Sequence, residues 1–316
     1  MRWFKKIIAV AVLSMSTALA GVGASYGQDK TVRIGYQKYG KLVLLKSRGS
    51  LEPRLKALGY DVKWTEFQFG PPLLEAINVG AIDFGNTGET PPVFAQAAGA
   101  PIRYVAYEPP AQKGEAILVQ KDSPLKSVAD LKGKKVAVAR GSNAHYLLVK
   151  ALEKAGVNYE DITPVYLAPA DARAAFETGA VDAWSIWDPY QSAAETTLGA
   201  KTLTDATGLV PNTQFYLSSQ QFIETEPKVL DAVLDELRGV DAWAQADIHA
   251  VAGQLSASVG LPVPVLEVAL KRQSYGIKPI DDQVLAAQQK LADTLYRLKL
   301  VPKEVRVSDI ARKSGS

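Results

Sequence analysis

Two stretches decide the fold: "INVGAIDFGNTGETPP" at residues 77–92 and "FETGAVDAWSIWDPY" at residues 176–190. Setting Gly80-Ala81-Ile82-Asp83 over Gly179-Ala180-Val181-Asp182 gives an offset of 99 residues (179 − 80), and Glu89 then falls opposite Asp188. In each copy a helical pattern stops at a glycine, whose missing Cβ suits a left-handed C-terminal cap. A short apolar strand follows at once and runs to an acid beside proline. The duplication points to two similar lobes, each with its own sheet. Helix–Gly–strand junctions recur throughout α/β proteins, so these four matched positions alone leave chance similarity open.

The flanking sequence has the same rhythm. Strands are expected at 32–36, 61–67, 81–88 and 102–107, alternating with helical patterns at 41–59, 71–80 and 90–99. Pro71 near a helix start and Gly80 just past its end fit the asymmetry of helix termini, and Thr90 is expected as an N-cap with Pro91 at the first helical position. Around the second copy, strands at 134–141, 161–168 and 180–187 alternate with helices at 142–156 and 170–179. Such alternation argues for an α/β fold with mostly parallel sheets flanked by helices. Beyond 212–219 the chain turns mainly helical, with helices expected at 226–247, 263–272 and 281–298.

The first residues read as a leader. Arg2, Lys5 and Lys6 precede the apolar run "IIAVAVLSMSTALA", which closes on Ala18-Leu19-Ala20. A basic start, a short apolar run and an A-x-A site describe a secretory signal peptide over 1–20, too short for a membrane span. Those three basic residues account for the whole net charge of +3, the excess of 36 basic over 33 acidic side chains. The remainder is neutral and offers no broad footprint for nucleic acid. With no cysteine in the chain, disulfides, Cys-based metal sites and lipid attachment are excluded. An exported protein without a lipid anchor fits the periplasm, and its length suits two lobes.

In open α/β sheets ligands bind beyond the carboxyl ends of strands, where helix N-termini point. Three such junctions are rich in small and polar residues. The first offers Gln37, Tyr39 and Gly40; the second Thr87, Gly88, Glu89 and Thr90; the third Gly141, Ser142 and Asn143. Helix N-termini suit anions, and Ser142 and Asn143 add donors without charge, although both types are also ordinary N-caps. In "AWSIWDPY" (183–190), Trp184 and Ile186 share one strand face and Trp187 the other. Core packing is the default for such aromatics; an indole in a cleft would instead cover an alkyl part of a ligand.

Catalytic signals are sparse. His145 and His249 are the only histidines and lack metal-ligand spacing, and neither G-x-S-x-G nor a phosphate-binding loop is present. Glu89 and Asp188 admit an acid/base reading if the lobes face each other, beside a blander one as caps of helix ends or fixtures of a hinge. The reading is of a non-enzyme without metal or cofactor.

Certain longer phrases carry a family resemblance. "RIGYQKYGKLVLLKSRGSLE", "LLEAINVGAIDFGNTGETPPVFAQAAGA", "SVADLKGKKVAVARGSNAHYLLVKALEKAG" and "PADARAAFETGAVDAWSIWDPY" together resemble the periplasmic aliphatic-sulfonate-binding proteins of ABC transporters, within a wider nitrate-, taurine- and sulfonate-binding group. The resemblance runs from about residue 32 to 307. It implies a type II periplasmic binding fold: one lobe from 30–115 and a return segment 214–316, the other from 116–213, joined by a hinge. It also implies a monomer that closes on a small anionic ligand, an alkanesulfonate, and docks on a membrane permease. Carried onto this chain, it points to Gln37, Thr87, Gly88, Glu89, Gly141, Ser142, Asn143, Trp184 and Asp188, beside Tyr39 and Gly40, as cleft residues. Taurine, nitrate, sulfate esters and a thiamine-precursor-like pyrimidine are the alternative ligands. An enzyme or a sensor module on the same scaffold is the alternative class. The family phrase "FPGGPQLLE" stands here as "FQFGPPLLE", placing Phe69 and Pro72 where a small flexible turn is usual. That change bears on substrate range rather than on fold.

Overall fold

The computed structural model describes residues 30–312, so the expected leader lies outside the described residues. The chain begins β1 (Lys30–Tyr36), α1 (Lys41–Arg48), α2 (Leu51–Lys56), β2 (Tyr60–Glu66), α3 (Gly70–Asn78), β3 (Phe84–Gly88), α4 (Thr90–Ala97) and β4 (Ile102–Glu108). It continues through β5 (Glu115–Val119), β6 (Lys135–Val138), α5 (Asn143–Lys154), β7 (Thr163–Tyr166), α6 (Pro169–Glu177), β8 (Ala183–Trp187), α7 (Tyr190–Leu198) and β9 (Lys201–Asp205). The last part comprises β10 (Gln214–Ser219), α8 (Gln220–Thr225), α9 (Pro227–Ala246), α10 (Ile248–Val259), α11 (Val263–Arg272), β11 (Lys278–Pro279) and α12 (Asp282–Arg297). Among the described residues no single helix is long and apolar enough to cross a membrane.

Two sheets result, ordered β11-β4-β10-β3-β1-β2 and β7-β6-β8-β5-β9. Setting β2-β1-β3-β10-β4 beside β7-β6-β8-β5-β9 shows one plan used twice. In both, three strands run parallel, and the fourth is antiparallel to its neighbours. The sheets are therefore mixed. The antiparallel member, β10 or β5, is in each case the strand that arrives by a crossing from the other sheet. Residues 109–114 make the first crossing and 206–213 the second, and they lie side by side. The Ala111 amide donates to Pro211 O at 3.2 Å, while Asn212 Nδ2 donates to Ala111 O at 2.9 Å.

The repeated phrase has a physical basis. Gly80 (φ 69°) and Gly179 (φ 73°) take the left-handed conformation that stops α3 and α6. The next amides fold back onto the helix, Ala81 N to Ala76 O at 2.8 Å and Ala180 N to Ala175 O at 2.9 Å. Asp83 Oδ2 then accepts the backbone N–H of Arg33 in β1 at 2.8 Å, and Asp182 Oδ2 accepts that of Lys135 in β6 at the same distance. Their own amides donate back to Arg33 O (2.7 Å) and Lys135 O (2.8 Å). Each aspartate thus closes the ladder at the point where two parallel strands begin. Arg33 adds a guanidinium pair to Asp83, so the first copy is the more strongly tied. At the common offset β3 and β8 superpose residue for residue in sequence, 84–88 on 183–187.

Several elements differ from the sequence reading. The helix expected over 41–59 is two helices, because Gly49 at φ 66° ends α1. The N-cap of α4 is Glu89 rather than Thr90, and its side chain makes no capping bond. The first cap bond is supplied from the other sheet, since Asn143 Oδ1 accepts the Thr90 amide at 3.0 Å. Helices α7 and α10 and strand β9 carried no distinct signal. Trp184 and Ile186 pack on one side of β8 with Phe176 and Leu118, while one further core runs from Leu73 and Val93 to Val136 and Leu147, linking the two sheets.

Removing Asp83 leaves the half-buried Arg33 amide without its acceptor, which costs about 1–3 kcal/mol, whereas water can replace the exposed Asp182 at the Lys135 amide. Asp83→Ala should lower the urea midpoint accordingly, and Asp182→Ala should lower it less. Their effects should add in the double variant, because the two sites share no partner.

Candidate functional site

The carboxyl ends of β1, β3, β6 and β8 converge between the sheets, and the N-termini of α1, α4 and α5 meet there. Two adjoining cavities occupy the space, one larger than the other, and share Gln37, Trp187, Asn212 and Gln214 in their walls. The smaller is completed by Gly70, Gly88, Pro91, Ser142 and Asn143, the larger by Tyr39, Gly40, Asn86, Glu108, Ala111, Gly114, Arg272, Gln273 and Ser274.

Six of the expected residues line these walls: Gln37, Tyr39, Gly40, Gly88, Ser142 and Asn143. Gln37 Nε2 is held on Asn86 O at 3.0 Å, and the Tyr39 hydroxyl donates to Ala269 O at 2.6 Å. Ser142 caps α5: its Oγ accepts from His145 N at 3.3 Å and donates to Ala139 O at 2.6 Å. The His145 amide is taken by Ser142, while the Asn143 and Ala144 amides that open α5 precede any intrahelical acceptor.

The other five take different places. Thr87 is fully buried and turns its hydroxyl to Gly88 O at 2.9 Å. Gly141 (φ 75°) lies against Pro71 and Phe94, and its amide donates to His145 Nδ1 at 3.2 Å. Trp184 has no exposed surface and stacks between Phe176 and Tyr190, at centroid distances of 5.7 and 6.2 Å. The indole in the cleft is Trp187, on the opposite face of β8. Glu89 turns away from the ligand space and accepts the amides of Asn212 (3.2 Å) and Thr213 (2.8 Å). Asp188 is buried, accepts Ser192 N at 2.9 Å and stands 3.6 Å from Arg272 Nη1.

The two acids therefore do not face each other: Glu89 holds the end of the second crossing, and Asp188 caps α7 through Ser192 and stands opposite Arg272. Sequence reasoning also missed Asn86, Asn212, Gln214, Arg272, Gln273 and Ser274. Only Asn86, inside the repeated phrase, had a local signal; Asn212 comes from the second crossing and the rest from the return segment.

Asn143 spans the cleft. Its Oδ1 takes the Thr90 amide on the first sheet's helix α4, and its Nδ2 donates to Asn212 Oδ1 at 2.9 Å. The carboxamide lies flat on Gly88, where a Cβ would stand 2.2–2.3 Å from its atoms. Glycine at 88 is thus a condition for the two walls to meet. The donors around the smaller cavity are uncharged amides, a hydroxyl and an indole, which hold an anion without exchanging protons. His145 is neutral near neutral pH, because burial, with Arg140 nearby, lowers it to about 4, and both its ring nitrogens are taken, by Gly141 N and the Tyr159 hydroxyl. Among the described residues no group of His, Asp and Glu side chains could hold a metal ion.

Comparison with known proteins agrees with this geometry. Residues 59–246 match the family model described as "NMT1/THI5 like". A curated relative from Escherichia coli K12, which carries the name of an aliphatic sulfonates-binding protein, is 45% identical over 309 residues, 97% of this chain and 95% of the relative. The alkanesulfonate-binding protein SsuA from Xanthomonas axonopodis pv. citri, solved bound to MOPS, has a TM-score of 0.85 at 41% identity, over 90% of this chain and 98% of that one. The periplasmic aliphatic sulphonate binding protein SsuA from Escherichia coli has a TM-score of 0.80 at 43% identity, over 90% of this chain and 93% of its own.

The buried acids have a consequence for stability. Burial raises Glu89 to about 7 against its two amide bonds, and raises Asp188 to about 6 against Arg272. Glu115, whose carboxylate oxygens are buried without partners, is pushed well above its ordinary value by burial and by Glu89. A carboxyl raised in the folded state binds protons more tightly there than in the unfolded chain. Its stabilising contribution is complete below the ordinary carboxyl pKa and is lost as pH rises through the folded value. The melting temperature should therefore fall by a few degrees between about pH 5 and about pH 8. In Glu89→Gln that slope should be shallower, which calorimetry at matched ionic strength would measure.

Proposed function

The chain belongs to the NMT1/THI5-like family and to the family of aliphatic-sulfonate-binding proteins, and from that premise we propose that it is a periplasmic receptor delivering alkanesulfonates to an ABC importer. The observation that carries this reading is the meeting of the α4 and α5 N-termini across a cleft walled by uncharged donors. A sulfonate is a permanent anion with three acceptor oxygens, so helix amides, Ser142 and Asn143 suit it at any periplasmic pH. Gln37 and Gln214 add neutral donors beside them, and Trp187 offers an apolar face to the carbon chain. Holding the anion without a guanidinium clamp favours release to a permease.

On this reading residues 1–20 are a signal peptide that sends the protein to the periplasm. Residues 30–115 and 214–316 move as one lobe and 116–213 as the other, and the monomer closes about the paired crossings. The MOPS bound by the Xanthomonas protein is itself a sulfonate, which supports the same anionic group as the handle here. The reading is of a receptor and not of an enzyme, because Glu89 is taken up by the amides of Asn212 and Thr213 and Asp188 is buried beside Ser192 and Arg272.

Titration calorimetry with short alkanesulfonates tests the assignment, with taurine, nitrate, an alkyl sulfate ester and an aminopyrimidine as competitors. Micromolar binding of the sulfonates with a change in tryptophan fluorescence is expected. Binding of none of them, or tighter binding of a competitor, would overturn the ligand assignment. Gly88→Ala drives a methyl group into Asn143 and holds the walls apart. It should weaken sulfonate binding at least a hundredfold, about 2.7 kcal/mol, with the fold intact by circular dichroism.

A further inference from the structure

We propose that Gly114 gauges the tail of the ligand: lacking a side chain, it keeps the larger cavity open to uncharged sulfonate tails of several carbons. The inference rests on the cleft being a sulfonate site, with the anion in the smaller cavity at the α4 and α5 N-termini. The two cavities share Gln37, Trp187, Asn212 and Gln214, so a tail leaving the anion passes into the larger one. Gly114 stands in the wall of that larger cavity and not in the smaller.

The polar side chains of this wall are engaged with protein. Glu108 accepts from Lys41 at 3.0 Å and from the Tyr216 hydroxyl at 2.6 Å, and Gln273 Oε1 accepts from Lys41 at 2.9 Å. Asn212 gives Nδ2 to Ala111 O and accepts from Asn143, both at 2.9 Å. Arg272 is paired with Glu195 and Asp188, at 2.6 and 3.6 Å. Such a wall presents mainly carbon to a ligand. It suits a hydrocarbon and gives a second charge no partner.

Gly114 is buried, yet neither usual reason for a buried glycine applies to it. Its φ is not positive, so no left-handed turn requires it. Nor is it crowded. At Gly35, Gly70, Gly85 and Gly88 a Cβ would stand 2.2–2.7 Å from a neighbouring atom, whereas at Gly114 the nearest atoms are Asn212 Nδ2 at 3.5 Å and Arg272 O at 3.8 Å. Both atoms belong to residues of the same cavity wall, so the missing side chain points along ligand space. The backbone is held on both sides: the Gly114 amide donates to Ala111 O and its carbonyl accepts Asp188 N, each at 2.9 Å. A side chain at 114 would therefore take room from the ligand rather than from the protein.

Calorimetry with methane-, butane- and hexanesulfonate on the native protein, Gly114→Ala and Gly114→Val tests this. In the native protein affinity should rise with chain length, by about fourfold for each methylene buried, until the cavity is full. Methanesulfonate, whose methyl group stops short of Gly114, should bind all three proteins alike. Butanesulfonate should weaken roughly tenfold in Gly114→Ala and further in Gly114→Val, the cost of overfilling a packed space. Gly114→Ala, which adds one methyl group without a clash, decides the matter by itself if Gly114→Val fails to fold. Affinity independent of chain length in the native protein, or a native preference kept by the folded variants, overturns the proposal and leaves sulfonate binding standing. So does an equal loss for all three ligands, which would make Gly114 a packing residue. If the native protein binds none of the three, the sulfonate reading falls as well.

Discussion

An aspartate accepting the backbone N–H of the neighbouring strand fixes where each sheet begins, and the rest of the architecture follows from that point. Asp83 on Arg33 and Asp182 on Lys135 make the same bond at the same length. Parallel strands leave amides free at their starts, and a helix that stops on a left-handed glycine brings a carboxylate to meet one. With the start of β3 and β8 set, five residues carry each strand to the cleft, and the next helix opens with its amides facing the ligand space. The anion site is thus the far end of a ladder whose near end is an aspartate.

The acids that close the two copies illustrate how one sequence position serves two purposes. Glu89 and Asp188 are equivalent by offset, and both stand against chain beyond the second sheet, Glu89 against the second crossing and Asp188 against Arg272 of the return segment. Glu89 takes two backbone amides where the second crossing enters β10, while Asp188 stands opposite a guanidinium from the end of α11. Burying a carboxyl is costly unless its charge is answered by donors. Each acid therefore ties chain that arrives more than a hundred residues after the first copy begins. This is how the first sheet recovers strands after the chain has built the second, and why a crossing residue such as Asn212 also lines the cleft.

Asn143 shows the same economy on the ligand side. It opens α5, supplies the bond that α4 lacks from its own N-cap, and rests on Gly88. The residues that would grip an anion are thereby those that bring the walls together. A bound anion and a closed cleft then stabilise each other, which is the coupling a transport receptor needs.

The sequence by itself determined the duplicated α/β plan, the glycine stops, the cleft-facing loops and six wall residues. These follow from local rules: helix caps, strand alternation and the position of strand ends relative to helix starts. The side on which Trp184 and Trp187 fall was legible from alternation, but not which side faced the cleft. Only the tertiary structure decided that Trp187 is the indole in the cleft, that Glu89 turns to the second crossing and Asp188 to Arg272, and that Arg272, Gln273 and Ser274 complete the wall. Helix α11 reaches the cleft because two crossings carry the chain out of the first sheet and back. Packing over that distance leaves no periodic mark in the sequence.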